Sequence, residues 1–335
     1  MVGISYVRAL TRIMQIKLVI PSPQGVLDGN RVTVRRWARI LRGLGHRARI
    51  EVQDQGDSCD LLIAVHACKS FPSIRRFRRE HPNRPLVVVL SGTDLYRDLR
   101  RGPEVAESLT MANHVVVLQK QALEEIPQEF LPKATVIYQS AEPVKGTPPL
   151  PKSYFRVCTV GNLRPVKDPF RLALAGRRLP DSSKIHIWQV GQALSAEMKR
   201  KALAESRMNG RYRWINGWPY WRTRRLIAGS HLVAITSRVE GSSNVLSEAL
   251  VSSVPVVASR IPGLMGTLGE NYSGYFPPGD TQALTQLLLR SEKEADFYQQ
   301  LKAECTRIAS VVQPRREQKA WERLLKKIQK TEDRR

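Results

Sequence analysis

Cysteine is scarce in these 335 residues. The four present, Cys59, Cys68, Cys158 and Cys305, show no C-x-x-C spacing and no metal-type pairing with histidine. That excludes a disulfide framework and a cysteine-built zinc site, and fits a chain kept reduced in a cytoplasmic setting. Long apolar runs are also lacking. The opening stretch MVGISYVRALTRIMQIKLVI is broken by Arg8, Arg12 and Lys17, which excludes an uninterrupted signal-type core, and no later run is long enough to cross a bilayer. Acids are few: 30 against 54 lysines and arginines, for a formal charge of +24. Residues 1–150 carry +8 and residues 151–335 carry +16, so no tail explains the excess. A balance of this kind favours anionic partners such as nucleotides, phosphorylated substrates, nucleic acid or anionic membrane. With aromatics at 7%, cations dispersed over many helices and no recognition module, nucleic acid is not the expected partner.

What is present is a hydrophobic content of 42%, enough for two ordinary domains. Val- and Ile-rich runs at 15–20, 61–66, 85–90, 114–118 and 135–138 alternate with helix-like segments, the rhythm of βαβ units around a parallel sheet. Between the first two, Val34, Trp37, Leu41 and Leu44 recur at helical spacing, and Gly45 ends that helix. Residues 140–153 (SAEPVKGTPPLPKS) lose periodicity and carry four prolines, a stiff connector. The alternation restarts with strands at 155–161, 184–191, 212–217, 231–237 and 254–259. After Asp280 the pattern is helical, with Pro314 opening a final basic helix over 314–331. The fold class expected is α/β: two doubly wound Rossmann-like domains facing a cleft, 1–148 and 149–312. A basic segment, 313–335, follows, and its apolar face (Trp321, Leu324, Leu325, Ile328) is expected to dock back onto the protein.

Two loops carry the chemistry. In EGSSNVLSEAL the carboxylates Glu240 and Glu248 bracket Ser242, Ser243 and Asn244, good N-cap residues. The helix starting there presents free N–H groups and a positive dipole end, which suit a diphosphate. The two acids suit the hydroxyls of polyols on either side of it. The plainer alternative is a capped core helix with one solvated acid. The second loop, GNLRPVKDP, places Gly161 at a strand end and Arg164 and Lys167 three residues apart, with Pro165 and Asp168 fitting a helix start. Such cations form a diphosphate clamp, although in a basic protein they can equally be solvated.

At these residues the chain resembles the carboxy-terminal domain of retaining-type GT-B glycosyltransferases of the sucrose-synthase-like family 4. The stretch runs from Gly161 through VGQ, WINGW, EGSSNVLSEALVSSVPVVAS, IPG and GYFPPGD. The resemblance implies that Arg164 and Lys167 hold the diphosphate, Glu248 the ribose hydroxyls, and Glu240 with the backbone of Ser243, Asn244 and Val245 the hexose. Two departures are Ser253, where the family usually has glycine, and Gly266, where many members place an acid. In the first half, PSPQGVLDGNRVTVRRWARILRGLGHR and HACKSFPSIRRFRREHPNRPLVVVLSGTDLYRDL resemble the selenosugar synthase subfamily of the selenoneine pathway. That resemblance implies transfer from a UDP-sugar, UDP-N-acetylglucosamine or UDP-glucose, to selenophosphate, with release of UDP and phosphate and no metal. The loop that usually carries a Gly-Gly pair reads Asp28-Gly29-Asn30 here, with Gly29 expected on the nucleotide-sugar side.

Selenophosphate is already an anionic nucleophile, so its site calls for cations and donors rather than a base. Candidates at strand ends are Asn30, Arg31, Lys69, Thr93 and Arg97, with His66 and Asp94, beside Glu240, as catalytic candidates. The alternative enzyme reading is a family 4 glycosyltransferase acting on a hydroxyl of a polysaccharide, lipid or small molecule; there the basic final helix could touch anionic membrane.

Overall fold

The computed structural model describes residues 12–22 and 28–333. The first half supplies β1 (Gln15–Val19), α1 (Gly29–Gly43), β2 (Arg47–Glu51), β3 (Leu61–Val65), α2 (Phe71–Glu80), β4 (Leu86–Leu90), α3 (Thr93–Tyr96), α4 (Pro103–Met111), β5 (His114–Val117) and β6 (Ala134–Val136). Its strands form one parallel sheet in the order β2-β1-β3-β4-β5-β6. Helices cover both faces, so β3, β4 and β5 are buried throughout, and uninterrupted Val and Ile runs are what such strands require. Edge strand β2, RARIE, escapes the sequence reading because it alternates with charge instead.

The second half contains β7 (Phe155–Val160), α5 (Arg171–Gly176), β8 (Ile185–Val190), α6 (Ala196–Met208), β9 (Tyr212–Ile215), α7 (Tyr220–Ala228), β10 (Leu232–Ile235), α8 (Asn244–Val251), β11 (Val256–Ser259), α9 (Pro262–Leu268), β12 (Tyr275–Phe276), α10 (Thr281–Lys293) and α11 (Ala295–Ile308). The sheet order is β12-β11-β10-β7-β8-β9. Residues 137–154 between the sheets hold no helix or strand, as the prolines require.

In both sheets the first strand sits inside, with its successors laid down first on one side and then on the other. The topological switch points therefore lie between β1 and β3 and between β7 and β10. At such points helices depart in opposite directions, opening a crevice at the carboxyl ends of the strands. The two crevices meet across the domain boundary. Backbone approaches backbone there: a Cβ on Gly92, after β4, would lie 2.8 Å from the Gly241 nitrogen, and one on Gly241, after β10, would lie 2.3 Å from the Ser91 oxygen. Only glycine at both positions permits that contact.

The last helix, α12 (Pro314–Glu332), leaves the second domain and returns to the first. Trp321, Leu324, Leu325 and Ile328 join Val34, Trp37 and Leu41 of α1 in one core on one face of the first sheet. Trp37 and Trp321 meet edge to face, with centroids 4.9 Å apart. Residues 313–333 thus belong spatially to the first domain, and the apolar face docks as the spacing predicts.

Candidate active site

The loop after β10 descends as Thr236 to Gly241 and turns into α8. Ser243 caps the helix: its backbone is extended and its Oγ accepts from the Leu246 N–H at 3.3 Å. No acid occupies the first turn of α8, so nothing neutralises its positive end. The β7 loop is stitched beside it, with Thr236 Oγ1 donating to the Lys167 carbonyl at 3.0 Å and the Arg238 N–H to the Val166 carbonyl at 2.8 Å. A cavity lies between them, lined by Gly161, Lys167, Gln189, Ser237, Glu240 and Ser243 among others.

Lys167 donates to Glu240 Oε1, and Ser237 Oγ donates to the same oxygen at 2.7 Å, which leaves Oε2 for a ligand. Arg164 lies half-buried on the same loop, its Nε without a hydrogen-bond partner. The expected helix start at Pro165 and Asp168 is corrected by the structure: residues 165–167 form a single 3-10 turn, Asp168 adopts φ +43, and α5 begins only at Arg171. The two cations therefore stand on a turn, and the helix end available to an anion is that of α8.

Glu248, one turn into α8, is buried. Its Oε1 accepts from the Tyr220 hydroxyl at 2.8 Å, and Arg224 Nε stands 3.9 Å from Oε2. Burial pushes its pKa up, while the Arg224 charge and the Tyr220 hydrogen bond act against the shift. Burial and then the Glu248 charge push Tyr220 up to about 12, so it remains the donor at neutral pH. Arg224 also donates to the Glu142 carbonyl at 2.5 Å, tying this acid to the interdomain connector. Tyr220 and Arg224 were not singled out from the sequence; the only signal was an aromatic and a cation one turn apart in a segment rich in both.

Asn244 does not turn toward this cavity. Its Nδ2 donates to the Gly29 carbonyl and to Thr33 Oγ1, both at 3.0 Å, and its Oδ1 accepts from Arg36 Nη1 at 2.9 Å. Its side chain thus crosses to the first domain, and Gly29 meets the second half through its carbonyl. Nearby, Ser247 Oγ donates to the Gln139 carbonyl at 2.8 Å, and Gln139 Nε2 to Thr33 Oγ1 at 2.7 Å. Glu317 of α12, 1% exposed, completes the junction by accepting from Arg36 Nε and Trp37 Nε1, each at 2.7 Å, and from Ser140.

On the first domain, His66 ends β3 at φ +72, a left-handed conformation that costs a non-glycine residue of order 1–3 kcal/mol. Its Nδ1 lies 3.4 Å from the Lys69 backbone N–H, and its Nε2 lies 2.9 Å from Thr93 Oγ1. Asp94 departs from the catalytic expectation. It is fully buried, and its oxygens accept the backbone N–H groups of Ala67, Ser91 and Gly92 at 2.7–3.1 Å. Its carboxylate is committed to holding these loops and presents nothing to a substrate. Asn30 reaches Ser91 Oγ at 3.5 Å, so Asn30, His66 and Thr93 gather around one loop. Arg31 donates to the Ser22 carbonyl at 2.6 Å, Lys69 is exposed, and exposed Arg97 is engaged by its neighbour Asp98 at 2.7 Å.

The structure places both departures from the family pattern. Ser253 occupies the left-handed turn position at φ +55 that glycine would hold without strain. A Cβ on Gly266 would lie 1.6 Å from Gln119 Oε1, so an acid there would require the Gln119 side chain to move.

Residues 140–307 match the family model described as glycosyl transferases group 1. The chain belongs to that family. Among curated relatives of this glycosyltransferase, a putative teichuronic acid biosynthesis glycosyltransferase of Bacillus subtilis (strain 168), TuaC, is 22% identical over 275 residues, 77% of this chain and 68% of that protein. Solved structures with the same fold include Anabaena Alr3699/HepE in complex with UDP and glucose, at TM-score 0.74 and 17% identity over 94% of this chain and 100% of that one. Another is the sucrose-phosphate synthase of Thermosynechococcus elongatus, at TM-score 0.76 and 15% identity over 93% and 98%. These neighbours share the arrangement of two Rossmann-like domains about a cleft, so the fold of this glycosyltransferase is GT-B.

Proposed function

We propose that this glycosyltransferase transfers a hexose from a UDP-sugar, UDP-N-acetylglucosamine or UDP-glucose, to selenophosphate. In this reading the selenium lone pair attacks the anomeric carbon, the bond to the β-phosphate oxygen breaks, and UDP leaves with the electron pair. Water then cleaves the P–Se bond, leaving a 1-seleno-sugar and phosphate. Arg164, Lys167 and the α8 N-terminus carry the diphosphate, Glu248 the ribose, and Glu240 with the backbone of Ser243, Asn244 and Val245 the hexose. The UDP complex of the HepE neighbour supports the choice of nucleotide. No metal is assigned a role. Among the described residues, the three acids close enough to share an ion are Glu51, Asp54 and Asp57, and Lys17 Nζ is hydrogen-bonded to Asp54 and Asp57.

The observation that carries the acceptor is that, among the described residues, the acids and the histidine on its wall are already engaged. Asp94 is saturated by backbone donors, Asp28 accepts from Ser22 and from the Arg31 N–H, and both His66 ring nitrogens have partners in the Lys69 N–H and Thr93 Oγ1. A hydroxyl would have to lose its proton to one of these groups, whereas selenophosphate arrives ionised. A hydroxyl acceptor is the second reading, favoured by similarity to the TuaC protein.

Incubation with a panel of UDP-sugars, with and without selenophosphate, followed by mass spectrometry, separates the two. UDP should be released rapidly only with selenophosphate, the product should carry selenium without phosphorus, and the rate should change little from mildly acidic to neutral pH. Lys69→Ala should raise the selenophosphate KM more than it alters donor binding. Equal UDP release without selenophosphate would eliminate this acceptor. For the donor side, Arg164→Ala and Lys167→Ala should each weaken UDP binding by about 1.5–3 kcal/mol in titration calorimetry, the range for hydrogen bonds to charged groups. Unchanged affinity in both would remove the clamp.

A further inference from the structure

The glycosyltransfer site uses few of the cations behind the +24 charge, and one group of the others lines a single surface. Helices α1 and α12 pack side by side on the same face of the first sheet through one shared core. Their outward sides therefore form one continuous surface. On α1 the positions opposite Val34, Trp37 and Leu41 are Arg35, Arg39 and Arg42, and no residue of that helix is acidic. On α12 the positions opposite Trp321, Leu325 and Ile328 include Lys319, Arg323 and Lys330, all exposed. Among the described residues, the acids beside this stripe are Glu322, which pairs with Lys326 at its edge, and Glu332 and Asp333 at its carboxyl end. Among the described residues, Arg35, Arg39, Lys319, Arg323 and Lys330 form no ion pair.

Like charges held together in this way repel and contribute nothing to the fold, so an anionic partner accounts for them better than stability does. The surface also describes the partner. The cavity at its far end, lined by Arg84, Lys326 and Lys330 but also by Asp60, Glu332 and Asp333, mixes acids with cations and so does not suit a lone phosphate, and none of the exposed large apolar side chains belongs to α1 or α12. Nothing is available to insert or to stack on a base, which disfavours single-stranded nucleic acid. A helix of 19 residues lays its cations along roughly 28 Å, at 1.5 Å per residue, and a second helix beside it broadens the line into a plane. We infer that this α1–α12 face docks electrostatically, without insertion, on a bilayer surface rich in anionic lipid. Helix α1 begins at Gly29 beside Asn244, so docking sets the cleft alongside the bilayer.

The test is co-sedimentation of the full chain with vesicles of phosphatidylcholine alone and of equimolar phosphatidylcholine and phosphatidylglycerol. Binding is expected to the anionic vesicles only and should be lost in about 1 M salt, where the screening length falls to about 3 Å. The variant Lys319→Gln/Arg323→Gln/Lys330→Gln should bind about a hundredfold more weakly, at roughly fivefold per cation removed. It should keep its circular dichroism spectrum and its turnover in solution. A control, Lys199→Gln/Arg200→Gln on α6, should bind like the parent. Equal binding to neutral vesicles, no binding to anionic ones, or equal loss in both variants would overturn the inference. Tighter binding to duplex DNA than to anionic vesicles at the same salt would overturn it too, assigning the face to a polyanion. None of these outcomes depends on the acceptor, so the inference and the proposed function fail separately.

Discussion

Replacing Glu317 by alanine should destabilise the protein by about 3–5 kcal/mol, the cost of breaking a buried charged pair from one side. Its carboxylate is fully buried and accepts from Arg36, Trp37 and Ser140. Removing it strands a guanidinium, an indole N–H and a hydroxyl where α1, the connector and α12 meet. Arg36 is also the residue that holds Asn244 at the start of α8, so the loss should reach the donor site. Urea unfolding followed by circular dichroism measures the effect. Glu317→Gln, which keeps the shape and one acceptor oxygen, should lose markedly less. A loss below about 1 kcal/mol in the alanine variant would mean that the junction is solvated and contributes little.

Glu240→Gln should lower turnover of the UDP-sugar by about 10²–10³-fold, the scale for removing one positioned electrostatic contact to the reacting group. UDP affinity should be unchanged or slightly higher. Lys167 is engaged by Glu240, and neutralising that acid leaves the ammonium free for the diphosphate. Glu248→Gln should do the opposite and weaken UDP itself by about 1.5–3 kcal/mol, because its carboxylate is the stronger acceptor for ribose hydroxyls. The fold should not suffer. A buried carboxylate whose pKa is raised makes its most favourable contribution to stability below the unfolded-state pKa and loses it as pH rises through the folded one. At neutral pH glutamine removes the desolvation cost of the charged form but leaves the buried Arg224 without its counter-charge, so the net change in stability should be small. Calorimetry with UDP and steady-state kinetics with the UDP-sugar separate the two variants; equal loss of UDP affinity in both would refute the placement of the two polyols on opposite sides of the α8 start.

How far each feature was legible follows from how local its cause is. The alternation of Val and Ile runs with helical segments announces two parallel sheets because strand burial and helix amphipathy are written at periods of two and 3.6 residues. The apolar stripe of α12 is of the same kind, as are the Arg164–Lys167 loop and the span from Glu240 to Glu248, since one strand-to-helix turn holds each of them together. Edge strand β2 and two-residue β12 were lost because an edge faces water and a short strand has no period.

Partner choice was decided only by tertiary structure. Asp94 reads as a strand-end acid, but which backbone N–H groups consume it depends on how the loops at 67 and 91 fold over it. Asn244 reads as a donor-site residue through its backbone, and only the approach of α1 decides where its side chain goes. Tyr220 lies 28 residues from Glu248, and Arg36 lies 281 from Glu317, separations that no local pattern encodes. Local sequence determined the elements and the loops that end them. Which side chains those loops keep free for chemistry was settled only when two domains and a returning helix packed together, because a buried polar group must find its partner wherever packing brings one within reach.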